Sequence, residues 1–372
     1  MTAPQRRGAC PSLDAPMATG DGFLARLAFD DALSAAQLAG IAEVAARLGN
    51  GLVEVTSRGS LQIRGLAEGA PLAAALRRFD LPLAAGTRVV TSPLAGRDPA
   101  ERADPRPLAA GLRRQRLPLP PKVTVLVDGG GAFSLDAVPA DVRLAATGTG
   151  WRVGVGGTAA TARWGDAVSE ASAERVALGL LDRLSRERQR GRDLDGVPDT
   201  PGPAPRVGEA IGRFTTRDGT ARGIGFAFGI AESAAVAALA KAAGNARFYP
   251  APGRALLALG LGDEAAFVAE AGRLGFVIAA TDPRQAISAC AGAPACGAGR
   301  IATRRIAARI AAEAPAVARG ARLHLSGCPK RCAQPAGPAV SLVADEGGAR
   351  VSGDGRPVPV ELESYLLEAA AW

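Results

Sequence analysis

Apolar residues recur at three- and four-residue spacing in SAAQLAGIAEVAARL (34–48) and again in ESAAVAALAKAA (232–243). That is the period of a helix with one buried face. Each run ends in Gly-Asn, at Gly49-Asn50 and Gly244-Asn245, a natural helix stop. Each is preceded by a short apolar run that predicts a strand, FLARLAF (23–29) or IGFAFGI (224–230). Two more strands follow in each half, the second closing on Gly-Leu, and then a second helix near 70–79 or 263–273. The segments LGNGLVEVTSRGSLQIRGL (48–66) and AGNARFYPAPGRALLALGL (243–261) align without a gap. Asn50 and Asn245, the only asparagines in the chain, fall at matching positions. An internal repeat accounts for this.

After each repeat lies a second block. The first predicts a helix at about 98–114 and strands at KVTVLVD (122–128) and WRVGVGG (151–157). The second predicts a helix at about 299–312, a strand at RLHLS (322–326) and the hairpin AVSLVADEGGARVSG (339–353). The fold class is therefore α+β, a pseudo-two-fold duplication with helices layered on sheets. The expected division is a ferredoxin-like half-domain at 15–80 and an α/β domain at 81–185, then a second half-domain at 211–278 and a second α/β domain at 279–372. Between them RLSRERQRGRDLDGVPDTPGPAPR (183–206) turns from charged to Pro- and Gly-rich, which predicts a fraying helix end and a linker over 186–210.

Composition narrows the class. Of 372 residues 48% are apolar but only 4% aromatic, so the cores must be built from Ala, Val, Leu and Ile. The net charge of +8 comes with no basic block interleaved with aromatics, so nucleic acid is not an expected partner. No apolar run reaches the ~18 residues of a membrane span, and the opening MTAPQRRGACPSLDAPMATGDG has no apolar signal core. The expectation is a cytoplasmic protein without membrane contact. There, five cysteines point to metal or redox chemistry before disulfides.

Four of the five form two tight pairs, Cys290 and Cys296 in CAGAPACGAGR, Cys328 and Cys332 in SGCPKRCAQP. Both loops are rich in Gly, Ala, Ser and Pro, which lets backbone approach an inorganic core and direct N–H groups at its sulfurs. A helix following the first loop would add partial positive charge beside a negative cluster. Structural zinc is the rival, but its pairs usually run C-x2–4-C and the first pair here is C-x5-C. Cys10, in RGACPSL, stands apart and reads as a lone thiol.

C-x5-C followed by SGCP-x-x-C (326–332) resembles the signature of the siroheme and [4Fe-4S] sulfite and nitrite reductase superfamily. Thr56-Ser57-Arg58-Gly59-Ser60-Leu61-Gln62-Ile63-Arg64-Gly65 is similar to that superfamily's T-x-R-x-x-x-Q-x-x-G segment. Leu119–Lys122 is similar to its LPRKFK segment, and VGVGGT (153–158) to its glycine stretch beside the tetrapyrrole. Thr124 stands where a second lysine is expected. The opening RRGACPSL...PM.TGDGFLARL resembles the precorrin-3B synthase branch, from aerobic cobalamin biosynthesis.

The resemblance implies an O2-dependent monooxygenase that hydroxylates precorrin-3A at C20 and closes a γ-lactone. A siroheme-dependent sulfite or nitrite reductase is the alternative. It implies a [4Fe-4S] cluster on Cys290, Cys296, Cys328 and Cys332, a non-haem iron, and NADH acting through a reductase, with siroheme the lesser expectation. The polycarboxylate substrate needs cationic partners. The candidates are Arg58 and Arg64, read as alternate positions on one strand face, then Lys122, Lys330 and Arg331. Gly156 and Gly157 would admit the flat ring. The local match makes Arg97 a further candidate.

Two features resist this scheme. An iron site of two histidines and a carboxylate cannot be built from one chain with a single histidine, His324, which reads as a packed strand residue. VGVGGTAATA lacks the full G-x-G-x-x-G of a dinucleotide loop, so a nicotinamide site is not expected here.

Overall fold

The computed structural model describes residues 11–206, 208–335, 337–355 and 357–371; Cys10 lies outside them. Ser34 opens the helix Ala35–Leu48 with a reciprocal cap. Its hydroxyl accepts from the Gln37 N–H at 3.1 Å, and the Gln37 side chain accepts from the Ser34 N–H at 2.8 Å. Leu38, Ile41, Val44 and Ala45 form the buried stripe, and the N–H of Gly49 closes the helix on the Ala45 carbonyl. In the other half Ser233–Ala242 takes the same place and buries Val236 and Leu239.

The strand registers carry the repeat at residue level. In the first hairpin Val53 faces Ile63 and Val55 faces Leu61. In the second Phe248 faces Ala258 and Pro250 faces Leu256, the same pairs displaced by the same offset. Gly65 and Gly260 correspond, and both sit in the left-handed region, at φ +70° and +73°.

The halves also exchange edges. The strand Ile230–Glu232 pairs with Leu52–Val55 of the first half, and Leu33–Ser34 pairs with Arg247–Ala251 of the second. In each exchange the paired residue, Glu232 or Ser34, is the N-cap of the main helix. The two helices and both sheets bury their apolar faces in one shared core that includes Leu38, Ile41, Ile63, Phe226, Leu239 and Phe248.

Two further sheets flank this body. One runs Arg163–Val168, Trp151–Val155, Val142–Ala146, Val125–Asp128, Val89–Thr91. The other runs Ile287–Ala289, Leu323–Ser326, Val340–Asp345, Gly348–Gly353. The first joins three parallel strands to two antiparallel ones, the second three parallel strands to one.

Two expectations need correction. The helix expected over 98–114 spans only Arg106–Arg113. Pro105 starts it, and the preceding turn is held instead by Asp98, whose carboxylate accepts from the N–H groups of Ala100 (2.8 Å) and Ala132 (2.6 Å). The segment expected as a linker is a strap tied to the neighbouring sheet. Arg190 clasps Asp141 through two bonds of 2.7 and 2.8 Å, Leu194 is fully buried, and Arg206 pairs with Asp128 and Asp136. Two of its charges, Arg190 and Arg206, which composition assigns to solvent, meet carboxylates of the sheet and its loops.

Glu101 gives this region a pH dependence. Burial pushes its carboxyl up to about 7; the Gly96 N–H at 2.8 Å opposes this, and Asp98 and Asp104 add to it. A raised carboxyl costs the fold nothing while protonated in both states and costs most once ionised in both. Stability should therefore fall as pH rises from about 4.5 to about 7. E101Q keeps an oxygen for Gly96, so it should unfold at higher urea than the parent at pH 8 and at about the same urea at pH 4. Equal midpoints at both pH values would contradict this.

Candidate functional site

Ile287–Ala289 and Leu323–Ser326 are adjacent parallel strands, so the loops that follow them leave the same sheet edge side by side. Cys290 follows the first strand directly and Cys328 lies two residues past the second. The carboxyl ends of parallel strands are a common place for ligand sites.

The two loops are knitted together by backbone. The Cys290 N–H donates to the Leu325 carbonyl (3.2 Å), and the Arg300 N–H donates to the Gly327 carbonyl (2.9 Å). The Gly327 N–H points at the Cys290 sulfur, 3.3 Å away. Thr303, in the first turn of the helix Thr303–Glu313, donates its hydroxyl to the Cys290 carbonyl at 2.7 Å. Glycine makes the contact close enough. A Cβ on Gly299 would lie 2.7 Å from the Ala293 nitrogen and 3.0 Å from the Cys296 carbonyl oxygen, and one on Gly327 would lie 3.1 Å from the Gly299 Cα.

Cys290, Cys296, Cys328 and Cys332 line one pocket. Gly20, Arg64, Gly299, Gly327 and Lys330 complete much of the wall. Burial pushes the Cys296 thiol up; the Ala298 N–H opposes this, and Asp21 with the neighbouring cysteines adds to it. Among the described residues no three His, Cys, Asp or Glu side chains are placed to hold a single metal ion. A cavity of about 370 Å³, against about 10 Å³ of open volume in the cysteine pocket, lies between Phe228, Phe276 and Arg304 and contains none of these cysteines.

The first half reaches this pocket through the motif residue Arg64 and through Gly20, Asp21 and Asn50, which no site motif marks. A Cβ on Gly20 would sit 2.6 Å from the Ala298 Cβ and 3.0 Å from the Cys296 sulfur. Arg64 donates through Nε and Nη2 to both oxygens of Asp21, at 2.8 and 2.9 Å, and through Nη1 to Glu54 at 3.1 Å. The Asn50 amide bridges Asp21 (3.2 Å) and the Ala295 carbonyl (3.3 Å) in the cysteine loop. Oriented to satisfy its neighbours, the Gln62 amide donates to Glu54 at 3.1 Å and accepts from Arg26 at 2.9 Å. Asn50 is visible in the sequence as half of the repeated pair. Its counterpart Asn245 is exposed, so the bridging role belongs to one half only.

The other candidates scatter. Arg58 does not share a strand face with Arg64; it sits in the turn between strands, bridged to Pro252 of the second half. Lys330 lines the cysteine pocket, and Arg331 donates to Ser352 at 3.3 Å. Lys122 is exposed before the strand Val125–Asp128, and Arg97 pairs with Asp218. Neither lines the cysteine pocket. Gly156 and Gly157 turn at φ +71° and +67°, and the space beside them is taken by the chain itself, by Arg192 and Thr161. His324 is fully buried, with Nδ1 3.2 Å from the Ser341 hydroxyl. Burial, with Arg331 adding, pushes its pKa down to about 4, so the ring is neutral at pH 7.

Comparison with known proteins bears on the family and the fold. Residues 15–76 match the family model of the nitrite/sulfite reductase ferredoxin-like half domain. The chain is 39% identical over 382 aligned positions to a precorrin-3B synthase from Sinorhizobium sp, covering 93% of this chain and 82% of that one. The solved structure of the Mycobacterium tuberculosis NirA protein superposes with a TM-score of 0.67 at 20% identity, over 93% of this chain and 79% of that one. At that identity the likeness speaks for the fold.

Proposed function

Because the chain belongs to the precorrin-3B synthase family, we propose that it converts precorrin-3A to precorrin-3B as an O2-dependent monooxygenase. One oxygen atom becomes the C20 hydroxyl, the ring A acetate closes a γ-lactone at C1, and the other oxygen atom leaves as water. Two electrons come from NADH through a separate reductase. The observation that carries this reading is the single pocket lined by all four paired cysteines, in a chain so similar to a named enzyme of that activity.

The donor set fits a [4Fe-4S] cluster. Four cysteines line one pocket, the Gly327 N–H is aimed at the Cys290 sulfur, and the loops are kept apolar and close by glycine. Such a cluster, when bound, supplies electrons one at a time. The residues present do not fit the second, non-haem iron. His324 is buried against Ser341, and no other histidine exists to join it. Lys330 at the pocket wall, with Arg331 beside it in sequence, meets the substrate's carboxylates in this scheme, and Arg58 does so from the opposite half.

Incubating the anaerobically purified protein with precorrin-3A, reductant and 18O2 tests the reading. One labelled oxygen in a hydroxylactone is expected. A labelled-oxygen-free product, or sulfite reduction with a strong siroheme band, would replace it with the alternative.

G299A is expected to lower iron and sulfide content while leaving far-UV circular dichroism unchanged, because the new methyl group meets backbone on both sides. Full iron occupancy in G299A would contradict the packing argument.

A further inference from the structure

We propose that the buried Asp21–Arg64 pair acts on the cluster, setting its reduction potential, and does not grip substrate. The inference rests on the cluster reading above.

Arg64 lines the cysteine pocket, yet its side chain is only 7% exposed and that of Asp21 is 0% exposed. Three of its donors are engaged, and the edge made by Nε and Nη2, the one that could take a carboxylate in two-pronged fashion, is filled by Asp21. A substrate carboxylate would have to displace a fully buried partner to use it. The charge itself remains effective. Arg64 shares its pocket with all four cysteines. Asp21 follows Gly20, where an added Cβ would lie 3.0 Å from the Cys296 sulfur. The pair thus sets two buried charges of opposite sign beside the cysteine loops. Charges this deeply buried are poorly screened by salt, so each shifts the energy of an electron added nearby. Asn50 fixes the pair to the Ala295 carbonyl, and Glu54, itself held by the Gln62 amide, accepts from Arg64 on the sheet side. Arg64 is in these terms a positioning and tuning residue.

The test is an EPR-monitored redox titration of the full-length protein, with iron and sulfide measured on each sample. R64M removes the positive charge and leaves Asp21 unpaired, so the midpoint should move to a more negative potential. D21N removes the negative charge and should move it to a more positive one. R64K should stay near the parent. If R64M fails to hold its cluster, the sign of the D21N shift decides. Unchanged midpoints in D21N and R64M at full iron content would overturn the proposal, all the more if R64M then binds the tetrapyrrole more weakly. A parent protein without iron and sulfide would instead bring down the cluster reading on which this one stands.

Discussion

C332S should purify without its iron and sulfide, as a folded protein that has lost its brown colour and all oxygenase activity. Serine removes the thiolate, and an alcohol of pKa far above neutrality does not replace it as an iron ligand. Losing an outer hydrogen-bond partner of a metal ligand already costs roughly 10–100-fold in affinity, so losing a ligand should cost more. The fold should survive because Cys332 is the exposed member of the four and lies past the strand Leu323–Ser326, outside the buried cluster that contains Ile306, Ile310 and Leu325. The checks are iron and sulfide assays beside far-UV circular dichroism. Iron content equal to the parent would remove Cys332 from the ligand set.

The second large effect lies far from the cysteines. Asp141 is the anchor of the strap. Its carboxylate accepts from the N–H groups of Thr124 and Gly191, both at 2.9 Å, and from two nitrogens of Arg190. The Asp141 side chain is 5% exposed and that of Arg190 24%. Removing one partner of a fully buried pair costs 3–5 kcal/mol; with Arg190 partly open to water, D141A should lose about 3 kcal/mol. Trp151 and Trp164, buried in the same sheet, report its unfolding by fluorescence. A loss under about 1 kcal/mol, the range of an exposed ion pair, would show that the strap is held by Leu194 and its apolar neighbours alone.

Much of the architecture is legible along the chain because period and punctuation act locally. The two main helices, their Gly-Asn stops and the matching hairpins follow from spacing alone, and the registers repeat as the alignment implies. The exchange of edge strands does not, since Leu33–Ser34 and Ile230–Glu232 are too short to carry a pattern and are fixed by the packing of one half on the other. The strap, from Arg190 to Arg206, is hidden for the converse reason. Its sequence is that of a solvated segment, and only the sheet supplies the buried carboxylates that hold it.

At the site, cysteine spacing and small loop residues were sufficient to bring four positions together. Arg64 was visible as a motif residue, but its partners Asp21 and Glu54 belong to separate strands and loops. Sequence alone therefore reads it as a free cation. The placement of Arg58 failed because the turn between strands breaks the two-residue alternation on which the shared-face argument depended.

The most direct measurement is iron, acid-labile sulfide and zinc per chain in protein prepared without oxygen, together with its EPR spectrum after reduction. The account predicts about four irons and four sulfides, no zinc, and the signal of a reduced cubane cluster. A colourless protein carrying one zinc per chain would contradict it.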